Sequence, residues 1–142
     1  MKKSIGVLLV FAAGVLAGHH LPFGHALHAQ SAGKVFELRT YTAPEGKLSN
    51  LNARFRDHTM RIFNKHGMKS IGYWTPQDAP NSQNTLIYIL QHPNREAAKK
   101  NWAEFAADPE WQKVSAESQV NGRIVAKTES VFMDAADYSP IK

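Results

Sequence analysis

The chain contains no cysteine, which excludes a disulfide framework and any thiolate metal site. It has no glycine-rich phosphate loop, no His-Glu-x-x-His pair and no Gly-x-Ser-x-Gly turn. Nucleotide hydrolysis, zinc proteolysis and esterase chemistry therefore lack the residues that carry them. No internal repeat or low-complexity tract is present. A dense basic stripe with stacking aromatics is also missing, which argues against a nucleic-acid binder. Arg54, Arg56, Arg61, Lys65 and Lys69 do cluster along one segment, but Arg54 and Arg61 are expected only to solvate its outer face. The formal charge of +5 includes Lys2 and Lys3; without them 15 basic residues face 12 acidic ones, a net +3, which is an ordinary protein surface.

The apolar run from Ile5 to Ala17 is too short to span a bilayer comfortably. It follows Lys2 and Lys3 and precedes small residues at Ala17-Gly18 and at Ala29, the charge, apolar and cleavage plan of a secretory signal. Residues 1–29 are expected to be a signal peptide cut after Ala29, with Ala17 as the alternative site. Uncut, they would anchor the protein to the inner membrane. The expected location is periplasmic or secreted, with the membrane met only through this segment. Roughly 110 residues remain, enough for one modest core: a domain over 34–134 and an exposed tail over 135–142.

Within that domain the periodicities read strand, helix, strand, strand, helix, strand. Val35 to Tyr41 alternates, with Phe36 and Leu38 on one side and Glu37, Arg39 and Tyr41 on the other. From Glu45 to His66 the residues Leu48, Leu51, Phe55, Ile62 and Phe63 form a helical stripe. Gly67 supplies the left-handed residue that closes it, and His66 suits the negative end of the helix dipole. A second strand is expected over about 68–75, a polar loop over 77–84, and an almost wholly apolar strand from Thr85 to Leu90, which needs both faces covered. Asn94 caps the next helix, on which Ala98, Trp102 and Phe105 share a face. Asp108-Pro109 restarts a shorter one. Trp102 and Trp111 are expected to serve as packing residues. The last strand is expected from about Ile124 to Met133. The order gives an α+β, ferredoxin-like βαββαβ fold whose antiparallel sheet must hide its second face against another molecule.

Candidate functional side chains are few. Of seven histidines, His19, His20, His25 and His28 fall in or just after the leader and match no ligand spacing. His92 is expected to cap a turn and His66 to end a helix. His58, three residues after Phe55 and four before Ile62, is expected to border the core stripe, where an imidazole serves as acid, base or spacer. Glu37, Arg39 and Tyr41 project in a row from one strand face. If that face is buried its charges must be paired, either with each other, with Glu129 or Lys127, or with a ligand.

Val35-Phe36-Glu37-Leu38-Arg39-Thr40-Tyr41 followed by Glu45-Gly46-Lys47-Leu48, then Lys65-His66-Gly67-Met68 leading to Gly72-Tyr73-Trp74, Asp108-Pro109-Glu110-Trp111 and the tail Asp137-Tyr138-Ser139-Pro140 together resemble a bacterial NIPSNAP-family protein. The resemblance implies a dimeric α/β-barrel in which two sheets meet face to face, with Tyr88 and its apolar neighbours as buried surface. It implies no settled activity and no cofactor or metal. Two functional classes stay open. One is a homodimeric module binding a small apolar or aromatic ligand, its pocket lined by Glu37, Arg39, His58, Trp74 and Tyr88. The other is a cofactor-light oxygenase or isomerase, with His58 as base and Arg39 or Tyr41 steadying negative charge.

Overall fold

The alternating segments pair as antiparallel strands: β1 (Val35–Thr42), β2 (Lys69–Trp74), β3 (Thr85–His92) and β4 (Lys127–Met133). They form one sheet in the order β2-β3-β1-β4. Between β1 and β2 run α1 (Leu48–Arg54), a π-helical turn (Phe55–Thr59) and α2 (Met60–Lys65); between β3 and β4 run α3 (Arg95–Ala107) and α4 (Pro109–Glu117). This architecture, seen in a computed structural model that describes residues 33–142, is the expected α+β ferredoxin-like arrangement. The leader and its cleavage sites lie outside the described residues. Among those residues, no helix is long and apolar enough to cross a membrane.

Local chemistry sets the boundaries. Asn94 Oδ1 accepts from Ala97 N at 2.7 Å, and Asp108 Oδ1 accepts from Glu110 N at 2.8 Å. Each cap satisfies an N–H that the first helical turn leaves free. Asp108 also ties α4 to the end of α2 through His66 Nε2 and Lys65 Nζ, both 2.7 Å from Oδ2. Gly67 takes φ +70°, a conformation that costs side-chain-bearing residues free energy, and so turns the chain into β2. β4 starts three residues later than the sequence suggests. Ile124 leaves the ladder and is instead buried in the core.

The register decides which side chains meet the helices. Glu37 lies opposite Leu90 and Phe132, Arg39 opposite Tyr88 and Ser130, and Tyr41 opposite Leu86. That face carries the core, with Tyr88, Leu86 and Leu90 packed on Leu51, Phe55, Ile62, Phe63, Met68 and Phe105. Aromatic contacts knit it together, including Phe63–Phe105 at 5.0 Å, Phe55–Tyr88 at 5.1 Å and stacked Tyr73–Tyr88 at 5.6 Å between centroids. Such pairs contribute about 0.5–1.5 kcal/mol each beyond burial.

One expectation is reversed here. Tyr88 is buried under the helices rather than on the sheet's second face. That second face carries Phe36, Leu38, Ile87, Ile89, Val131 and Met133, with Trp74 opposite Ile87, and toward the end of β1 the polar residues Thr40, Thr42, Lys127 and Glu129. The polar row of β1 turns inward because each of its charges finds a partner there, so alternation tells the two faces apart without saying which one the helices cover. Most of the tail is exposed, Tyr138 to 88%, yet it folds back across one end of the second face. Its Lys142 carbonyl accepts from Gln91 Nε2 at 3.0 Å, and it roofs an apolar cavity of about 380 Å³ over Phe36, Ile71, Ile89 and Met133. Val131 is still 54% exposed and Trp74 49%.

The helix after β1 departs from a 3.6-residue period. The turn Phe55–Thr59 is π-helical, and Thr59 Oγ1 donates to Arg54 O at 3.2 Å. A π turn inserts one extra residue and rotates the residues beyond it about the helix axis. Thr59 therefore points inward and is buried, whereas His58 is exposed. The expectation that His58 borders the core rests on an uninterrupted α-helix and fails for this reason. Arg54, expected on the outer face, is buried at 6% exposure.

Candidate functional site

Glu37 is the most heavily hydrogen-bonded side chain of the sheet. It is 1% exposed, yet four donors converge on it. Oε1 accepts from Arg39 Nη1 at 2.9 Å and Ser130 Oγ at 2.7 Å. Oε2 accepts from His92 Nε2 at 3.0 Å and Trp102 Nε1 at 2.7 Å. Burial pushes its pKa up, but the hydrogen bonds from His92, Ser130, Trp102 and Arg39 outweigh it and hold the carboxyl at about 2. It is therefore ionised and fully engaged at neutral pH, which makes it an anchor and a poor proton acceptor.

Arg39 continues the network into the protein. Its Nη2 donates to Tyr41 Oη at 3.1 Å, and its guanidinium carbon lies 4.4 Å from the centre of the Trp102 ring and 5.4 Å from that of Tyr41. Burial alone would lower its pKa; Tyr41, Tyr88 and Glu37 more than reverse this, so the charge is permanent. Tyr88 is driven well above the ordinary phenol range, chiefly by burial, and stays neutral. Its hydroxyl is close enough to Tyr41 and Arg39 to feel them electrostatically, but makes no hydrogen bond of acceptable geometry. Arg39 Nε and His92 Nδ1 are also buried without partners.

This network floors a cleft of about 570 Å³ between β1, β4 and α3. Trp102 and Phe132 give it aromatic surface, and Arg95 lies 3.9 Å over the Phe132 ring. Arg95 and Lys99 stand on α3 with Glu96 between them. Because Glu37 is already neutralised by Arg39 and its other donors, the lining carries a surplus of positive charge beside flat apolar surface. The cleft thus sets flat aromatic surface beside fixed positive charge. Among the described residues, no group of three or more His, Asp or Glu side chains is placed to hold a metal ion.

Of the residues that the sequence points to, Glu37, Arg39, Tyr41 and Tyr88 come together on the helix-facing side of the sheet. The expected internal pairing of Glu37 with Arg39 is present at 2.9 Å. Glu129 and Lys127 instead pair with each other at 2.9 Å, because the register places them opposite Thr40 and Thr42 on the other face. Two residues do not join the cluster. Trp74 is separated by strand parity: Tyr73 faces Tyr88, while Trp74 faces Ile87 on the far side. His58 lines a separate cleft with Arg54, Asn50 and Ser118.

Sequence reasoning does not reach His92, Trp102, Ser130 or Arg95 as site residues. His92 does not cap a turn; it is the last residue of β3 and wholly buried. Its position two beyond Leu90 continues the inward set of Leu86, Tyr88 and Leu90, and that alternation is the available signal. Trp102 does more than pack, since a buried indole N–H requires an acceptor and finds it in Glu37. Ser130 carries no signal in one dimension, because only the β1–β4 register brings it to Glu37.

The NIPSNAP family model matches residues 36–140. No curated protein matches the chain. Solved structures resemble it along most of their length. One is a NIPSNAP family protein with unknown function from Agrobacterium tumefaciens, with 20% identity, a TM-score of 0.68, and coverage of 79% of this chain and 96% of that one. A NIPSNAP-like domain protein from Burkholderia xenovorans has 17% identity, a TM-score of 0.67 and coverage of 77% and 90%. A NIPSNAP domain protein from the same organism has 23% identity, a TM-score of 0.63 and coverage of 75% and 98%. At these identities the likeness speaks for the fold.

Proposed function

The chain belongs to the NIPSNAP family, and with that fold as the frame we propose that it is a homodimeric small-molecule-binding module whose ligand is an aromatic compound bearing an acidic group. The observation that carries this reading is the cleft over Glu37, Arg39 and Trp102. It pairs a permanent guanidinium, held in place by a saturated carboxylate, with aromatic surface and the side chains of Arg95 and Lys99. Holding Arg39 by Glu37 and Tyr41 removes the ordering cost that a free arginine would bear on binding.

Dimerisation is supported by the second sheet face, where Leu38, Ile87, Ile89 and Val131 form an apolar surface that the tail covers only at one end. Contiguous apolar surface of this kind marks an interaction site, and two copies related by a two-fold axis would each cover the other. The charge and apolar plan of residues 1–29 supports export, with the domain acting outside the cytoplasm either free or anchored.

The alternative, a cofactor-light oxygenase or isomerase, is the weaker reading. Its base, His58, is exposed on the π turn and lines a different cleft from Arg39 and Tyr41, and Glu37 has no free acceptor capacity to replace it. Native mass spectrometry of the protein purified from its own host tests the proposal. The expected mass is two chains plus a retained acid-bearing ligand, which is lost from Arg39→Met while the dimer persists. Two bare chains with no affinity for aromatic acids would overturn the ligand assignment, and a monomer would overturn the dimer. The same spectrum reads the leader, since cleavage after Ala29 or Ala17 removes a distinct mass.

A further inference from the structure

Arg54 presents a problem that the cleft over Arg39 does not solve. It is only 6% exposed, yet no carboxylate among the described residues pairs with it. Its polar contacts are a long hydrogen bond from Nη1 to Ser118 Oγ at 3.4 Å and the face of Trp111, 5.1 Å from the guanidinium carbon. Nε is buried with no partner. Burial pulls its pKa down from the ordinary arginine value, but a guanidinium keeps its proton across the physiological range and cannot escape by neutralising. A buried charge without a counter-ion is strongly disfavoured, and a native structure that keeps one calls for a partner.

The surroundings of Arg54 offer room for that partner. The side chain lines a cleft of about 300 Å³ between the first helix and α4, together with Asn50, His58 and Ser118. Asn50 and His58 are able to donate hydrogen bonds, whereas the Ser118 hydroxyl already donates to Ser115 O at 3.0 Å. The π turn begins immediately after Arg54, and it is this turn that swings His58 out of the core and onto the cleft. π turns are frequent at functional sites. Two further groups set the charge of the guest. Asp57 and Glu117 also line the cleft, and Glu117 is in turn 3.8 Å from Lys113 Nζ. They disfavour a multiply charged anion and leave the arginine suited to a single negative charge. The forked guanidinium matches the two oxygens of a carboxylate.

We infer that this cleft binds the carboxylate of a small organic acid against Arg54, with Asn50 and His58 as secondary donors. The site is distinct from the cleft over Arg39. The test is thermal unfolding of the whole protein in sodium acetate, against sodium chloride of equal ionic strength and against acetamide, the neutral isostere. Wild type is expected to show a rise in Tm specific to acetate that grows with the logarithm of its concentration above Kd, about 5 °C at ten times Kd. Arg54→Met should abolish the rise and Arg39→Met should retain it. Asp57→Asn, which leaves the buried arginine in place, should tighten acetate binding about threefold by removing one repelling charge. The inference is overturned if wild type shows no acetate-specific rise, or if Arg54→Met keeps it undiminished. It is also overturned if Asp57→Asn is destabilised and indifferent to acetate, because Asp57 would then be the internal counter-ion.

Discussion

Replacing Glu37 by Gln keeps the size of the side chain and removes its charge, so the change isolates what the carboxylate contributes. In the folded protein Glu37 titrates at about 2, against an ordinary 4.5. Each pH unit of such a difference corresponds to about 1.4 kcal/mol, so the ionised group contributes about 3 kcal/mol. That agrees with the roughly 3–5 kcal/mol typical of removing one partner from a buried ion pair. Gln also turns an N–H2 toward donors and leaves Arg39 without its carboxylate. In a domain of this size the loss lowers Tm by roughly 12 °C.

The depressed pKa sets the sign of the pH effect. Between pH 4.5 and about 2 the unfolded chain binds a proton that the folded one refuses, so stability rises with pH across that window. The contribution is complete above pH 4.5 and is lost as pH falls toward 2. Urea unfolding of both proteins from pH 7 to pH 3 measures it. The difference between wild type and Glu37→Gln should be about 3 kcal/mol at pH 7 and shrink by about 1.4 kcal/mol per pH unit below roughly 4.5. Asp108, held low by Lys65 and His66, and Glu110, held low by Arg61, lie away from Glu37, are depressed alike in both proteins and cancel in the difference. A variant within about 1 kcal/mol of wild type at neutral pH, the range of an ordinary substitution, refutes the reasoning. So does a difference that stays constant from about pH 6 to pH 3.

Three further outcomes are expected. Val131→Glu, which places a charge in the apolar part of the second face, should convert the proposed dimer to a folded monomer with unchanged far-UV circular dichroism. Sedimentation velocity at micromolar concentration checks this, and an unchanged sedimentation coefficient counts against that face as the interface. Gly72→Ala should cost less than about 1 kcal/mol, although the new Cβ would lie 2.6 Å from the Trp74 ring; the ring is half exposed and able to swing away. Tryptophan emission should shift while the unfolding midpoint barely moves. Gly67→Ala should cost about 1 kcal/mol or more, because φ +70° is strained for alanine and Asn101 Nδ2 would lie 3.3 Å from the added carbon; denaturant unfolding reads it.

Element order, the two capped helices and the closing glycine were legible because their signals are local. Asn94, Asp108 and Gly67 act within a few residues of themselves, and the alternation of β1 needs only its own positions. The pairing of Glu37 with Arg39 was legible for the same reason, since residues two apart on a strand share a face. The π turn was not legible. A helical stripe is drawn with a fixed period, and nothing in Phe55 to Thr59 announces an extra residue. That one insertion moved His58 out to solvent and brought Thr59 in; Arg54 lies before it, three residues after Leu51 on the same face, and is buried although it is charged.

Backbone periodicity and capping are short-range, so the kinds of secondary structure, their order, and which side chains of each strand travel together follow from the one-dimensional pattern of residues. Which strand face the helices cover follows only from long-range packing. Apolarity marked both faces of β3, and the charged row of β1 could go inside only if His92, Trp102 and Ser130, as many as 93 residues away in the chain, arrived to satisfy it. Long-range donors converging on one carboxylate are a property of packing, and that convergence is what lets a polar strand face floor a cleft.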